Sequence, residues 1–104
     1  MSALPAYIHH LLSTTTDMDR WPTFISLSQF TEELDTFCKN NGYSQVKNSL
    51  NVVLMQLRAW SPPSYFKTRL RTKFKGNKRV NVYVAPPLAR WREFFEEKMQ
   101  VGHA

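Results

Sequence analysis

The apolar positions of the chain change period along its length, and each change marks an element. Leu4, Ile8, Leu11 and Leu12 share one face at helical spacing and predict a short helix over 5–12, with Pro5 comfortable in its first turn. The polar run Ser13-Thr14-Thr15-Thr16-Asp17 breaks it, and Phe24-Ile25 predicts a very short strand. Leu27, Phe30, Leu34, Phe37 and Cys38 then resume the helical period. Ser26-Leu27-Ser28-Gln29 has the form of a capping box, the Ser26 hydroxyl taking the Gln29 amide while the Gln29 side chain reaches back. Ile25 and Phe30 are spaced as a hydrophobic staple, and Lys39-Asn40-Asn41-Gly42 supplies the C-terminal stop. Only Tyr43 separates that Gly from Ser44, the expected cap of a helix over Ser44–Leu57. There Val46, Leu50, Val53, Leu54 and Leu57 fall within an inward arc of about 100°. Lys47, Asn48, Asn51, Val52, Met55 and Arg58 occupy the opposite arc, and Pro62-Pro63 forbid continuation.

The period then becomes two. Phe66, Thr68, Leu70, Thr72 and Phe74 alternate with Lys67, Arg69, Arg71, Lys73 and Lys75. Successive residues of a strand lie on opposite faces, so one face is largely apolar and the other is a row of cations. Lys75-Gly76-Asn77-Lys78 suits a tight turn, because Gly and Asn tolerate positive φ. Arg79 follows, and Val80, Val82 and Val84 are the expected inward set of the return strand. After Ala85-Pro86-Pro87, the positions Leu88, Trp91, Phe95 and Met99 predict a last amphipathic helix with Glu93, Glu96 and Glu97 outside. The order predicts an α+β fold of the winged helix-turn-helix kind: a three-helix core, a basic β-hairpin wing and an extra C-terminal helix. Residues 1–104 are read as one winged-helix domain. Its parts are an N-terminal helix and loop (1–20), a helix-turn-helix (26–60), a wing (65–84) and a C-terminal helix (87–100).

Charge sharpens this picture. The net charge of +6 points to an acidic partner. From Thr36 to Arg92 there is no Asp or Glu but twelve Lys and Arg, while all eight acids lie outside that span. The chain is therefore electrically two-sided. Length fits one small domain, and 42% hydrophobic with 13% aromatic residues suffices for a core. Cys38 is the single cysteine, which excludes an internal disulfide and a cysteine-rich zinc site. No apolar run has the length of a membrane span, and Met1-Ser2-Ala3-Leu4-Pro5-Ala6 lacks the pattern of a secretory signal. An intracellular protein without membrane association, in cytoplasm or nucleus, is expected.

Candidate chemistry concentrates in two places. Lys67, Arg69, Arg71, Lys73, Lys75, Lys78 and Arg79 are expected to neutralise phosphates and track a nucleic-acid backbone, which positions a protein without reading sequence. Lysines also guard strand edges against aggregation. However, a merely soluble surface mixes its signs, and this run contains no acid. On the Ser44–Leu57 helix, Gln45, Lys47, Asn48 and Asn51 are placed to reach base edges, with Arg58 beside them. Trp60 and Tyr65 flank the Pro62-Pro63 loop and would stack on an unpaired base if exposed. Adjacent His9 and His10 do not share a helix face as metal ligands four apart would. No nucleophile–base pair and no phosphate loop of the form GxxxxGK[ST] occurs, so no enzyme, cofactor or metal is expected. The carboxylates Glu32-Glu33-Asp35 and Glu93-Glu96-Glu97 read as solvated helix faces.

The Ser26–Lys75 region, together with Gly76-Asn77-Lys78-Arg79-Val80-Asn81-Val82-Tyr83-Val84, resembles the C-terminal winged-helix domain of viral and phage primase-helicases, of the poxvirus-type and phage alpha-type group. Leu4-Pro5-Ala6-Tyr7-Ile8-His9-His10-Leu11-Leu12 is similar to a segment that leaves the helicase core in some phage members. The resemblance implies a DNA-binding module of a viral replication protein, attached to a hexameric helicase ATPase. Two other expectations stand beside it. One is a protein-interaction winged helix that docks its basic wing on an acidic partner or on a second copy. The other is an RNA-binding winged helix.

Overall fold

A computed structural model of the chain describes residues 3–16, 20–44, 50–67, 69–74 and 78–101. Its elements run α1 (Ala3–Thr14), β1 (Phe24–Ser26), α2 (Leu27–Asn41), α3 (Leu50–Ala59), β2 (Arg69–Phe74), β3 (Lys78–Val84) and α4 (Leu88–Val101). Among the described residues these make a small α+β domain, four helices beside a three-stranded antiparallel sheet of order β1-β3-β2.

The helix boundaries follow from local chemistry. At the start of α2, Ser26 has extended backbone and its hydroxyl accepts from the Gln29 amide at 3.5 Å. The return half of the expected capping box is absent: the Gln29 side-chain amide donates to Glu33 Oε1 at 3.3 Å instead. Gly42 ends α2 in the left-handed region at φ +74°, which only glycine enters without strain, and its N–H bonds back to Cys38 O. The first helix runs further than its apolar period requires, because threonines extend it. Thr14 Oγ1 donates to His10 O, and Thr15 Oγ1 to Leu11 O, each at 2.7 Å. The helix expected from Ser44 is described as α3 from Leu50 to Ala59, and residues 45–49 lie outside the described residues.

One core cluster joins the helices: Leu4, Ile8 and Leu12 of α1, Phe30, Leu34 and Cys38 of α2, Val53 and Leu57 of α3, and Leu88, Trp91 and Phe95 of α4. Trp91 is 1% exposed, and its Nε1 donates to Trp60 O at 2.8 Å while its ring meets Trp21 edge-on at 6.0 Å. Trp21 in turn donates to Pro86 O at 2.8 Å, fastening the α1–β1 connection to the strand exit. Tyr7 packs on Phe30 and Phe37 and donates to Glu33 Oε2 at 3.1 Å. Burial, then the Glu33 carboxylate, pushes the Tyr7 hydroxyl well above its ordinary range.

Cations close two helix C-termini. Arg92 of α4 donates to Leu12 O at 2.9 Å and to Thr15 O, and Lys98 donates to Ala59 O. The orphan carbonyls there carry partial negative charge, so a cation both bonds and stabilises.

Three expectations are corrected. Leu50, expected inward, is 42% exposed, while Val53, Leu54 and Leu57 of the same arc are buried. Asp35, expected on a solvated face, is half-buried, with an Oδ1 that has no hydrogen-bond partner among the described residues. The hairpin's inward set differs in part, since Val82 is buried as expected and the burial of Val80 lies outside the described residues. Val84 is 38% exposed, whereas Tyr83, expected on the outer side, is 4% exposed and joins the helical core. The reason lies in the register: Phe24 opposes Val84 and Ile25 opposes Tyr83, so the sheet root presents Ile25 and Tyr83 to the helices. Val82 is also buried, so the root of β3 is covered on both faces.

Candidate nucleic-acid interface

β3 is the middle strand, held on one side by β1 and on the other by β2. Along β2 the register is Arg69↔Tyr83, Leu70↔Val82, Arg71↔Asn81, Thr72↔Val80, Lys73↔Arg79 and Phe74↔Lys78. Arg69, Arg71 and Lys73 thus occupy alternate positions, on the sheet face that Tyr83, Asn81 and Arg79 share. Outward from buried Tyr83, the positions of this face are Arg69, Arg71 opposite Asn81, and Lys73 opposite Arg79. Lys78 falls on the other face, opposite Phe74. Lys67 precedes the strand and is exposed. Lys75 and the turn residues Gly76 and Asn77 lie outside the described residues, as do Gln45, Lys47 and Asn48.

The hairpin is launched by a strained turn. Ser64 and Phe66 are non-glycine residues at φ +85° and +60°. Such backbone costs about 1–3 kcal/mol per residue and persists only where its surroundings hold it. Here Phe66 is 1% exposed, its ring 5.7 Å from Trp91 and 6.3 Å from Tyr83. Its carbonyl accepts from Arg58 Nε at 2.8 Å. Arg58, expected to contact nucleic acid, therefore ties the end of α3 to the root of β2. The pattern of outward positions found Arg58 but carried no signal of this bond, which spans eight residues through an irregular turn.

On α3 the described base-edge candidate is Asn51, which is exposed. Its neighbours are apolar: Val52 is 38% and Met55 67% exposed. Trp60 and Tyr65 are both half-buried. The Trp60 ring has Lys98 Nζ 4.6 Å from its centre and Phe95 at 5.5 Å, so it is a packing residue and not an open stacking platform.

Sequence reasoning missed one concavity. A groove of about 360 Å³ between α1, β1 and α2 is lined by Leu11, Trp21, Pro22, Phe24, Ile25 and Phe30. No sequence pattern marked it: Phe24 reads as a strand residue, and its 52% exposure beside Val84 appears only in the fold. Glu33 also lines it, already bonded to Tyr7 and Gln29. His9 and His10 rest against the Phe95 and Phe37 rings. Among the described residues no helix is long and apolar enough to cross a membrane. Comparison of the chain with protein-family models, with curated proteins and with solved structures gives no match in any of the three.

Proposed function

We propose that this chain is a non-catalytic nucleic-acid-binding module of the winged helix-turn-helix kind, and that its polyanion is DNA, double-stranded in preference to single-stranded. In this reading α2, the Gly42 turn and α3 form the helix-turn-helix, and β2–β3 form the wing. The order α1-β1-α2-α3-β2-β3 and the sheet order β1-β3-β2 support it. The observation that carries it is the pairing of Lys73 with Arg79 across the hairpin, beyond Arg69 and Arg71 on the same face. Like charges directly opposed destabilise a strand pair, a cost that solubility alone does not require. A row of phosphates offsets that repulsion and holds the hairpin. The resemblance to primase-helicase C-terminal domains makes a replicative helicase ATPase the proposed neighbour.

Binding is then salt-dependent through counterion release. Arg69→Glu with Arg71→Glu should weaken duplex binding and lower the slope of log K against log salt by about two. Unchanged binding in that variant refutes the wing as the contact. A second reading rests on the exposed carboxylates Glu32, Glu93, Glu96 and Glu97, which would receive the basic hairpin of a second copy. Light scattering at low and high salt tests it: a salt-sensitive oligomer without DNA affinity favours self-association. Titration with matched RNA in parallel decides between the nucleic acids.

A further inference from the structure

The outward side of α3 carries a chemistry of its own. With about 100° per residue, the buried Val53, Leu54 and Leu57 define the inner arc, and Val52, Met55 and Ala59 lie opposite them. All three are exposed. Asn51 flanks this apolar strip on one side and half-buried Gln56 on the other. Over the described Leu50–Ala59 the helix has no carboxylate, and its one cation there, Arg58, donates through Nε to Phe66 O.

These side chains match one kind of base pair. In the major groove, guanine is read chiefly by Arg or Lys, and cytosine by a carboxylate. Adenine is read by the amides of Asn and Gln, and the thymine methyl by apolar contact. We infer that α3 reads A·T base pairs from the major groove, Val52 and Met55 meeting thymine methyl groups and Asn51 meeting adenine. The inference rests on the nucleic-acid reading above and assigns it a sequence class. The occupant is DNA because α3 is tied to the hairpin: the Arg58–Phe66 bond joins α3 to the root of β2, whose alternate positions Arg69, Arg71 and Lys73 are cationic residues. An apolar strip beside phosphate-binding cations suits the floor of a groove whose walls are charged.

The test uses the whole chain and four matched duplexes. Their central segments are A·T, G·C, A·T with uracil replacing thymine, and inosine·cytosine. The last presents the minor groove of A·T and the major groove of G·C. The A·T duplex should bind about tenfold more tightly than the G·C duplex. The uracil duplex should lose several-fold, and the inosine duplex should behave like G·C. Val52→Ser with Met55→Ser should erase the thymine–uracil difference and leave the salt slope intact. If the inosine duplex binds like A·T, the preference is read in the minor groove and the inference is overturned. Equal affinity for all four with an ordinary salt slope also overturns it, while leaving the nucleic-acid reading standing. No binding to any duplex at low salt removes both. Self-association that Met55→Ser abolishes, without base preference, assigns the strip to protein instead.

Discussion

Truncating Arg58 to Ala separates a clamp from a phosphate contact. The guanidinium bonds a carbonyl that belongs to a 1% exposed residue at φ +60°, two residues after Ser64 at φ +85°. A hydrogen bond from a charged donor contributes about 1.5–3 kcal/mol net. Arg58 itself is exposed, and solvent screening takes the expectation to the lower end, about 1–2 kcal/mol. The assay is urea and thermal unfolding followed by tryptophan fluorescence, since Trp60 and Trp91 lie at the end of α3 and against Phe66 respectively. For a domain of this size each kcal/mol corresponds to about 4–8 °C, so the midpoint should fall by about 5–15 °C. Duplex binding, measured well below the midpoint, should keep its salt slope. Arg58→Lys keeps the charge but not the fixed geometry, and should restore little of the stability. The clamp is refuted if Arg58→Ala unfolds like the parent while its salt slope drops by about one, because a phosphate contact behaves in that way.

Two glycine exchanges should move stability in opposite directions. Ser64→Gly relieves a positive φ of +85° and should stabilise by about 0.5 kcal/mol after glycine's extra chain entropy. Gly42→Ala meets no atom within 4 Å of the new Cβ, so its cost should be backbone strain alone, about 1 kcal/mol. Equal effects of the same sign in urea unfolding would contradict both. The Tyr7–Glu33 contact predicts a pH dependence. Folding raises the Tyr7 pKa above its ordinary 10.0, so the folded state holds that proton more tightly than the unfolded chain. The stabilisation is complete below pH 10.0 and declines as pH rises beyond it. Tyr7→Phe should be less stable than the parent at pH 8, and the gap should narrow above pH 10.0. A gap that widens there reverses the sign and defeats the assignment.

The elements were legible where local chemistry is self-contained. Ser26 and Gly42 bound α2 as the cap signals require, because each satisfies or shapes backbone within one turn, Ser26 through its hydroxyl and Gly42 through its φ. Leu4, Ile8 and Leu12 are buried as their spacing predicts, and so are Leu88, Trp91 and Phe95. What sequence did not carry is set by distant partners. Gln29 chose Glu33 over the backbone because Glu33 is held in place by Tyr7, 26 residues away. Tyr83 turned inward because three residues of β1 pair with the end of β3, a pairing that strand alternation does not encode. For the candidate interface, the alternation of β2 located Arg69, Arg71 and Lys73, but nothing in it distinguished Arg58, whose outward position looked equivalent.

The inward turn of Tyr83 decides on which face of the sheet the Arg69, Arg71 and Lys73 positions fall. With Val84 and not Tyr83 turned to the helices, Arg69, Arg71 and Lys73 would occupy the sheet face away from them, although buried Val82 shows that the root is covered on both faces. The register instead sets Arg69 opposite Tyr83, and Tyr83 belongs to the same core cluster as Val53, Leu54 and Leu57 of α3. The cation row therefore starts on the helical side of the sheet, at the root where Arg58 binds Phe66 O. A one-residue slip in the β1–β3 pairing would exchange the faces and carry the cations to the far side. The three-residue strand β1 contributes little surface, yet its pairing fixes which sheet face holds the Arg69, Arg71 and Lys73 positions, and the proposed joint contact of hairpin and α3 with one polyanion depends on that face.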